Sequence, residues 1–309
     1  MLKIYYENGL KCFFSCTVLL KNFFNYFSYC LGGVCFMDIF DEVMSNDFSV
    51  FENRNIFSTD YIPEEILCRD DVLRSIFTNI KPLLLNNKVM NTILVGASSL
   101  GKTTVMKFVL SEIEEVSGIT TCYINCNIQN TYRKCYLQLY RVLFGFEARR
   151  NVGTEIIQDE LMKKLEEESI LLAIDDLDHL SRSDADRFIN EIFRANEFYH
   201  TNIALIVSIH SIRFKYSLDL DTQNIFLGQI VELEPYSESE IAIILKNRCE
   251  LGFKDGVISD EDIRRVSRNI FYYFNLRDGL NKLNILGQKL DFENRKCVGK
   301  EDLDDLLIV

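Results

Sequence analysis

The sequence predicts an α/β chain: a five-stranded parallel sheet flanked by helices, followed by a small all-helical part. Three observations carry this. Five short runs, TILVGA from Thr92, TTCYINC from Thr120, ILLAIDDLD from Ile170, NIALIVSIH from Asn202 and QIVELEPY from Gln229, are rich in Ile, Val and Leu. They are nearly continuous rather than alternating, as in strands buried on both faces of a parallel sheet. Between them lie stretches such as KTTVMKFVLSEIEEV and DADRFINEIFRANEF, whose apolar positions recur at spacings of three and four. Past Pro235 the strand pattern stops, and SESEIAIILKNRCELGF, SDEDIRRVSRNIFYYF and LRDGLNKLNILGQKL read as consecutive helices.

Taken in order, the elements divide the chain into an α/β base over residues 37–235 and a helical domain over 236–309. Ser237 and Ser259 stand where helix N-caps are needed. EDLDDLLIV reads as a last short helix. Residues 1–36 differ from the rest, being rich in Phe and Cys and nearly free of acid. Their apolar run is interrupted by Lys21, Asn22 and Asn25, which argues against a membrane span, and no small-residue cleavage site follows it. The reading favoured over a membrane anchor is that the functional chain starts at Met37 and the preceding segment is a mis-assigned or poorly ordered extension.

At 309 residues with 48% hydrophobic content, the chain has enough apolar residues for a real core, which excludes wholesale disorder. A net charge of −12 excludes a broad field that attracts phosphate backbones, so any nucleic-acid contact must be local. The ten cysteines show no paired CxxC knuckles, and they read as reduced thiols of a cytoplasmic protein. Cys122 and Cys126 lack a second ligand pair at zinc spacing, which favours buried strand cysteines.

Chemistry concentrates in GASSLGKT, which fits G-x-x-x-x-G-K-[ST]. Gly96 and Gly101 let the backbone wrap so that amides of Ala97, Ser98, Ser99, Leu100 and Thr104 can point at phosphates. Lys102 then faces the β and γ phosphates and the Thr103 hydroxyl faces a magnesium ion. The context such a loop requires, a strand before and a helix after, is present. A nucleoside triphosphate needs an acid for its metal at the end of a neighbouring strand, and ILLAIDDLDHL supplies Asp175, Asp176 and Asp178. Asp175 is expected to order the metal and Asp176 to polarise the attacking water. Asp178 and His179 read as local packing or surface contacts.

FENRNIFSTDYIPEEILCRDDVLRSIF, the phosphate loop, YINCNIQNTYRKCYLQLYRVLFG, AIDDLDHL and LEPYSESEIAIILKNR together resemble the AAA+ ATPases of the origin-recognition and cell-division-control initiator family of archaea and eukaryotes. The resemblance runs over residues 51–290. It implies a P-loop AAA+ base with a helical lid, ATP and Mg2+ as ligands, and a nucleotide-dependent switch in origin recognition or helicase loading with slow hydrolysis. By position it puts Tyr61, Ile62, Pro63 and Arg69 on the adenine side, Asp175 and Asp176 on the magnesium strand, and Arg277 of the lid at the γ-phosphate.

Four departures from the family pattern bear on this. Asp176 stands where the family has Glu, and its carboxylate is one methylene shorter, which puts its reach to water in doubt. His210 stands where a polar Asn helps to orient the water; an imidazole can donate a hydrogen bond there, or be a packed bystander. Asp221 lies near the place of the arginine that completes a neighbour's site, and a carboxylate cannot stabilise phosphate charge; Arg213, close by, reads as a surface charge. A monomer or a one-sided hetero-complex follows. The residues after Leu290 are too few for the winged-helix domain of archaeal initiators, leaving the region around 187–202 as the base segment to touch origin DNA. The alternative is a catalytically weak ATP-binding scaffold that does not bind DNA by itself. A signalling or mobile-element AAA+ ATPase is a third reading, against which the DYIPEE block counts.

Overall fold

The computed structural model describes residues 48–307 apart from 86, 88, 150 and 274. The apolar extension 1–36 and the expected start of the base at 37 lie outside the described residues.

The five runs form one sheet of five parallel strands: β1 (Thr92–Val95), β2 (Thr120–Asn125), β3 (Ile170–Asp175), β4 (Ile203–Ile209) and β5 (Gln229–Glu232). They lie in the order β2-β3-β4-β1-β5. Successive residues of a strand face opposite sides, and here both sides are covered. Ile93, Ile170, Leu172, Ile174, Leu205 and Val207 join one core, with Tyr136, Leu139, Leu161 and Phe188. Those four come from α3 (Tyr132–Phe144), α4 (Thr154–Glu167) and α5 (Arg182–Phe193), after which comes the single turn α6 (Ala195–Phe198). Leu94, Leu171, Ala173, Ala204 and Ile206 join the other, against Ile76 and Ile80 of α1 (Asp70–Ile80) and Val105, Met106 and Val109 of α2 (Lys102–Ser117). That double burial is why β1, β3 and β4 contain almost nothing but apolar residues.

β5 departs from the expectation. It is an edge strand, and only Val231 of its four residues is buried. The buried thiols Cys122, Cys126 and Cys135 are free. Burial pushes the Cys122 thiol up to about 12, so it packs as an apolar group.

After β5 come α9 (Glu238–Gly252), α10 (Asp260–Tyr273), α11 (Leu276–Phe292) and α12 (Lys300–Leu307). Ser237 starts α9 with a capping box to Glu240, and the Ser259 hydroxyl accepts from the Asp262 amide. These helices hold an aromatic seat shared with the start of the described chain. The Phe51, Phe57 and Phe253 rings lie 4.6 to 5.9 Å apart. The amides of Glu52 and Asn53 both donate to the Gly252 carbonyl. Gly287 leaves room for the seat, because a Cβ there would come within 2.3 Å of the Phe51 ring.

A second clasp closes α11 on α12. Asp302, 3% exposed, accepts two bonds from the Arg295 guanidinium at 2.6 and 3.0 Å, one from Lys289 at 3.0 Å and one from the Gly299 amide at 2.8 Å. The Arg295 pairing, with the amide and Lys289, holds the Asp302 carboxyl well below the usual carboxylate range despite burial.

Two outcomes follow from these clasps. Gly→Ala in a helix ordinarily gains about 1 kcal/mol. At Gly287 the ring contacts reverse the sign, and Gly287→Ala should lose about 1–3 kcal/mol in urea denaturation; a stabilised variant would show that the seat yields. Because the Asp302 pKa is depressed in the folded state, its stabilisation is present above the unfolded carboxylate pKa and lost as pH falls through that value toward the folded one. Asp302→Asn should therefore be less stable by about 1–2 kcal/mol at pH 7, a figure discounted for the half-exposed partners. Its stability should also decline less than the parent's between pH 6 and 3; parallel pH curves would remove the clasp from the account.

Candidate functional site at the carboxyl ends of the strands

β1, β3 and β4 all end on the same side of the sheet, where ligands bind in open α/β folds. After Val95 the chain runs through the glycine-bounded loop and into α2. Gly101 has φ +89°, a conformation that residues with a Cβ rarely adopt. Gly96 passes so close to the chain after β5 that an added Cβ would lie 3.0 Å from the Leu233 carbonyl oxygen. Gly101 is thus favoured by its backbone conformation and Gly96 by the close approach of the neighbouring chain. The Lys102 amine, at the first turn of α2, donates to the Gly96 and Ala97 carbonyls at 2.7 and 3.0 Å. Burial lowers its pKa, opposed by the carboxylates of Asp176, Asp175 and Asp178 and reinforced by Arg277.

Asp175 ends β3 fully buried and accepts three hydroxyl bonds, from Thr103 of α2 at 2.7 Å, from Tyr123 of β2 at 2.7 Å and from Ser208 of β4. Burial and this bond raise the Tyr123 pKa, so the phenol keeps its proton. The Thr103 and Asp175 oxygens, side by side, are the all-oxygen donor set that Mg2+ prefers.

Asp176 follows with φ +52°, and its amide donates to the Ser208 hydroxyl at 2.7 Å. Its carboxylate accepts from Asn127 at 2.8 Å and lies 3.8 Å from His210 Nε2. His210 follows β4. Its backbone amide donates to Asp178, its Nδ1 lies 2.9 Å from the same carboxylate, and its Nε2 lies 3.0 Å from the Ser98 hydroxyl in the loop. This corrects the expectation for Asp178: it is a partner of His210 rather than a packing or surface group. A carboxylate so placed fixes the orientation of the imidazole.

The cleft above the loop is lined from the base by Ser98, Ser99, Gly101, Lys102, Thr103, Thr104, Asp176 and His210. Ser58, Thr59, Tyr61 and Pro63 line it from the segment before α1, and Asn247, Arg248, Leu276 and Arg277 from the helical part. Arg248 stacks on the Tyr61 ring at 4.6 Å. It is 8% exposed, and one of its terminal nitrogens is buried with no hydrogen-bond partner. An orphaned cationic donor in the lining, a glycine-shaped phosphate cradle and a buried amine together fit a phosphorylated ligand.

Other expected residues fall elsewhere. Ile62 is half exposed, and neither it nor Arg69 is in the lining. The Arg69 guanidinium instead donates to the Glu234 carbonyl at 2.8 Å and the Leu100 carbonyl at 3.3 Å, and stacks on Tyr236 at 3.8 Å. It is a bolt between the phosphate loop and the crossing into the helical part, where two carbonyls need a donor. Arg213 and Asp221, on α7 (Arg213–Ser217) and α8 (Leu220–Ile225), are exposed and outside the lining. The Ser208 and Tyr123 hydroxyls and the Arg248 guanidinium were missed in the sequence; Tyr123 and Arg248 lie in stretches that carried the resemblance, and Ser208 does not.

Residues 88–214 match the family model described as an AAA domain. The ORC1-type DNA replication protein 2 of Methanothermobacter thermautotrophicus is 30% identical over 272 residues, covering 86% of this chain and 72% of that protein. Its counterpart of the same name in Archaeoglobus fulgidus is 27% identical over 266 residues, 86% of this chain and 70% of that one. Among solved structures, the Aeropyrum pernix ORC1 protein in complex with DNA aligns with a TM-score of 0.76 at 20% identity, over 84% of this chain and 70% of its own. Cdc6p from Pyrobaculum aerophilum gives 0.73 at 20% identity over 84% and 71%.

If Arg69 is a bolt, Arg69→Ala should destabilise the ligand-free protein by about 2 kcal/mol and speed amide exchange in residues 96–101. Arg69→Lys should not rescue it, since an ammonium cannot both span two carbonyls and stack on a ring. Unchanged ligand-free stability with weakened nucleotide binding would return Arg69 to the role expected from the sequence.

Proposed function

Since the chain belongs to the family of ORC1-type DNA replication proteins, we propose that it is an ATP-binding initiator whose nucleotide state sets its engagement with DNA or replication partners. The observation that carries this reading is the composition of the cleft, which brings Lys102, Thr103, Asp176 and His210 of the base opposite Arg248 and Arg277 of the helical lid. A nucleotide held by both sets, base and lid, would be gripped more tightly with the lid closed, so ligand occupancy would shift the base–lid equilibrium. In this reading the loop amides and Lys102 bind the phosphates, Arg277 reaches the terminal phosphate, and Tyr61 with Arg248 flanks the purine. Thr103 and Asp175 would hold Mg2+, which when bound neutralises charge on the phosphate oxygens. Asp176 would orient the attacking water and accept its proton, with His210 beside it.

Hydrolysis is proposed to be slow. Asp176 is short, already bonded to Asn127, and set on a strained backbone. Those same features favour the second reading, an ATP-binding scaffold without turnover. Among the described residues no helix is long and apolar enough to cross a membrane.

For DNA, a groove beside α3 is the better candidate than the region around 187–202. In that region Arg187 faces Glu191 and Glu155, and Arg194 faces Glu197. The groove, by contrast, is lined by Arg133, Lys134, Arg141 and Arg149 against the single acid Glu147. In a chain of net charge −12 this is a local patch suited to a few backbone phosphates.

The test is fluorescent ATP and ADP binding, turnover, and duplex DNA binding at several salt concentrations. Lys102→Ala should weaken ATP binding at least tenfold, as expected when a phosphate-binding amine is removed. Retained binding would refute the nucleotide site. Turnover that disappears in Lys102→Ala supports the switch, whereas tight binding without turnover selects the scaffold. Arg141→Glu with Arg149→Glu should weaken DNA binding and reduce the salt slope by about 2, roughly one unit for each phosphate no longer neutralised. Arg187→Ala should do neither, and the opposite ranking would return the DNA-binding role to the region around 187–202.

A further inference from the structure

The chain contains three histidines, and two of them, His179 and His210, face each other across the site with ring centroids 5.2 Å apart. Between and beside them stand Asp178 and Asp176. One ligand atom from each of the four residues can be chosen so that all lie within 4.8 Å of one another. With Nδ1 as the ligand atom of His210, one oxygen of Asp178 lies 3.0 Å from it and 3.9 Å from His179 Nδ1, while Asp176 lies 3.8 Å from the other His210 nitrogen, Nε2. Ligand atoms bonded to one tetrahedral metal at ~2.1 Å sit about 3.4 Å from each other, so the Asp178, His179 and His210 Nδ1 atoms bracket what a shared ion needs, and the Asp176 carboxylate would close on the Nδ1 side to complete the set.

The geometry points to a second metal site, formed by Asp176, Asp178, His179 and His210 and suited to a divalent transition ion of the zinc class.

Three features separate it from the magnesium position expected at Thr103 and Asp175. Its donors are two nitrogens and two oxygens, a set that suits zinc or cobalt and does not suit Mg2+. Three of the four donors come from one turn, residues 176–179, and the fourth from the residue after β4; the hydrogen bond from the His210 amide to Asp178 joins the two. The donors also have outer supports: Asn127 donates to Asp176 at 2.8 Å, and Ser98 contacts His210 Nε2 at 3.0 Å. The side chains of Asp176, Asp178 and His210 are between 16% and 28% exposed, whereas that of His179 is 44% exposed. His179 is therefore the ligand on the solvent side, where an ion would enter.

Occupancy would draw Asp176 toward the ion and away from water above the phosphate loop. A zinc-class ion at this site therefore brakes hydrolysis while leaving the phosphate cradle intact. The site itself does not depend on the nucleotide reading; the brake does.

The experiment uses Co2+ with the full chain, free of nucleotide and phosphate. The expected result is one equivalent bound with visible d–d absorption and at least tenfold weaker binding in His179→Ala, whose ADP affinity stays at the parent value and reports that it is folded. Equal Co2+ affinity in parent and variant overturns the proposal. So does a spectrum consisting only of thiolate-to-cobalt charge transfer, which would assign the ion to cysteines. For the brake, stoichiometric Zn2+ should slow Mg2+-dependent ATP turnover at least tenfold in the parent and leave His179→Ala unaffected. Turnover indifferent to Zn2+ in the parent overturns the brake. If no turnover exists, the brake falls with the hydrolytic reading, and the Co2+ result decides the site by itself.

Discussion

The buried carboxylate of Asp175 is the constraint on which the rest of the site depends. A fully buried acid is tolerable only when its lone pairs are satisfied, and here three hydroxyls from three other elements do so. Thr103 brings the start of α2, Tyr123 brings β2 and Ser208 brings β4, so one side chain fixes the phosphate loop against the middle of the sheet. The Ser208 hydroxyl that donates to Asp175 also accepts the Asp176 amide, which pins the next residue in its left-handed conformation. The arrangement of Asp176, and through it of the turn down to His179, is inherited from Asp175.

Around that point the molecule is polarised in small areas rather than as a whole. The carboxylates of Asp175, Asp176 and Asp178 all act on the Lys102 amine, and two arginines line the cleft from the lid side. The chain as a whole carries a net charge of −12, and the groove beside α3 is a local exception to it. Interactions between exposed charges fade over about 8–10 Å at physiological salt, so neither the cleft nor the groove is governed by the net charge of the chain.

What was legible in the sequence was legible because its physics is local. β1, β3 and β4 could be read because burial on both faces leaves an unbroken apolar run, and the phosphate loop because two glycines, a lysine and a threonine at fixed spacing are consecutive. β5 was legible as a strand, but its exposure was not, since edge position depends on which strands lie beside it. Asp178 looked like a solvated acid because its partner, His210, is 32 residues away. Arg69 looked like a ligand-binding residue because the carbonyl it bolts, that of Glu234, is 165 residues away. Arg248 over Tyr61 likewise joins two distant segments, and no periodicity announces it.

The aromatic seat has a mechanical meaning. Phe51 and Phe57 are packed on Phe253, and the amides of Glu52 and Asn53 are bonded to Gly252, while Arg54 donates to Asn284 at 3.1 Å. All of these anchor residues belong to the helical lid, although in sequence the segment belongs with the base. Four residues beyond Phe57 comes Tyr61, itself held under Arg248 of the lid. A rigid rotation of the lid therefore carries Tyr61 with it, and the slack between the two bodies must be taken up between Tyr61 and the bolt at Arg69. The hinge consequently has two strands rather than one: the crossing after β5 and this second, earlier piece of chain. A two-stranded hinge resists twisting, so a swing of the lid would run about an axis through both strands.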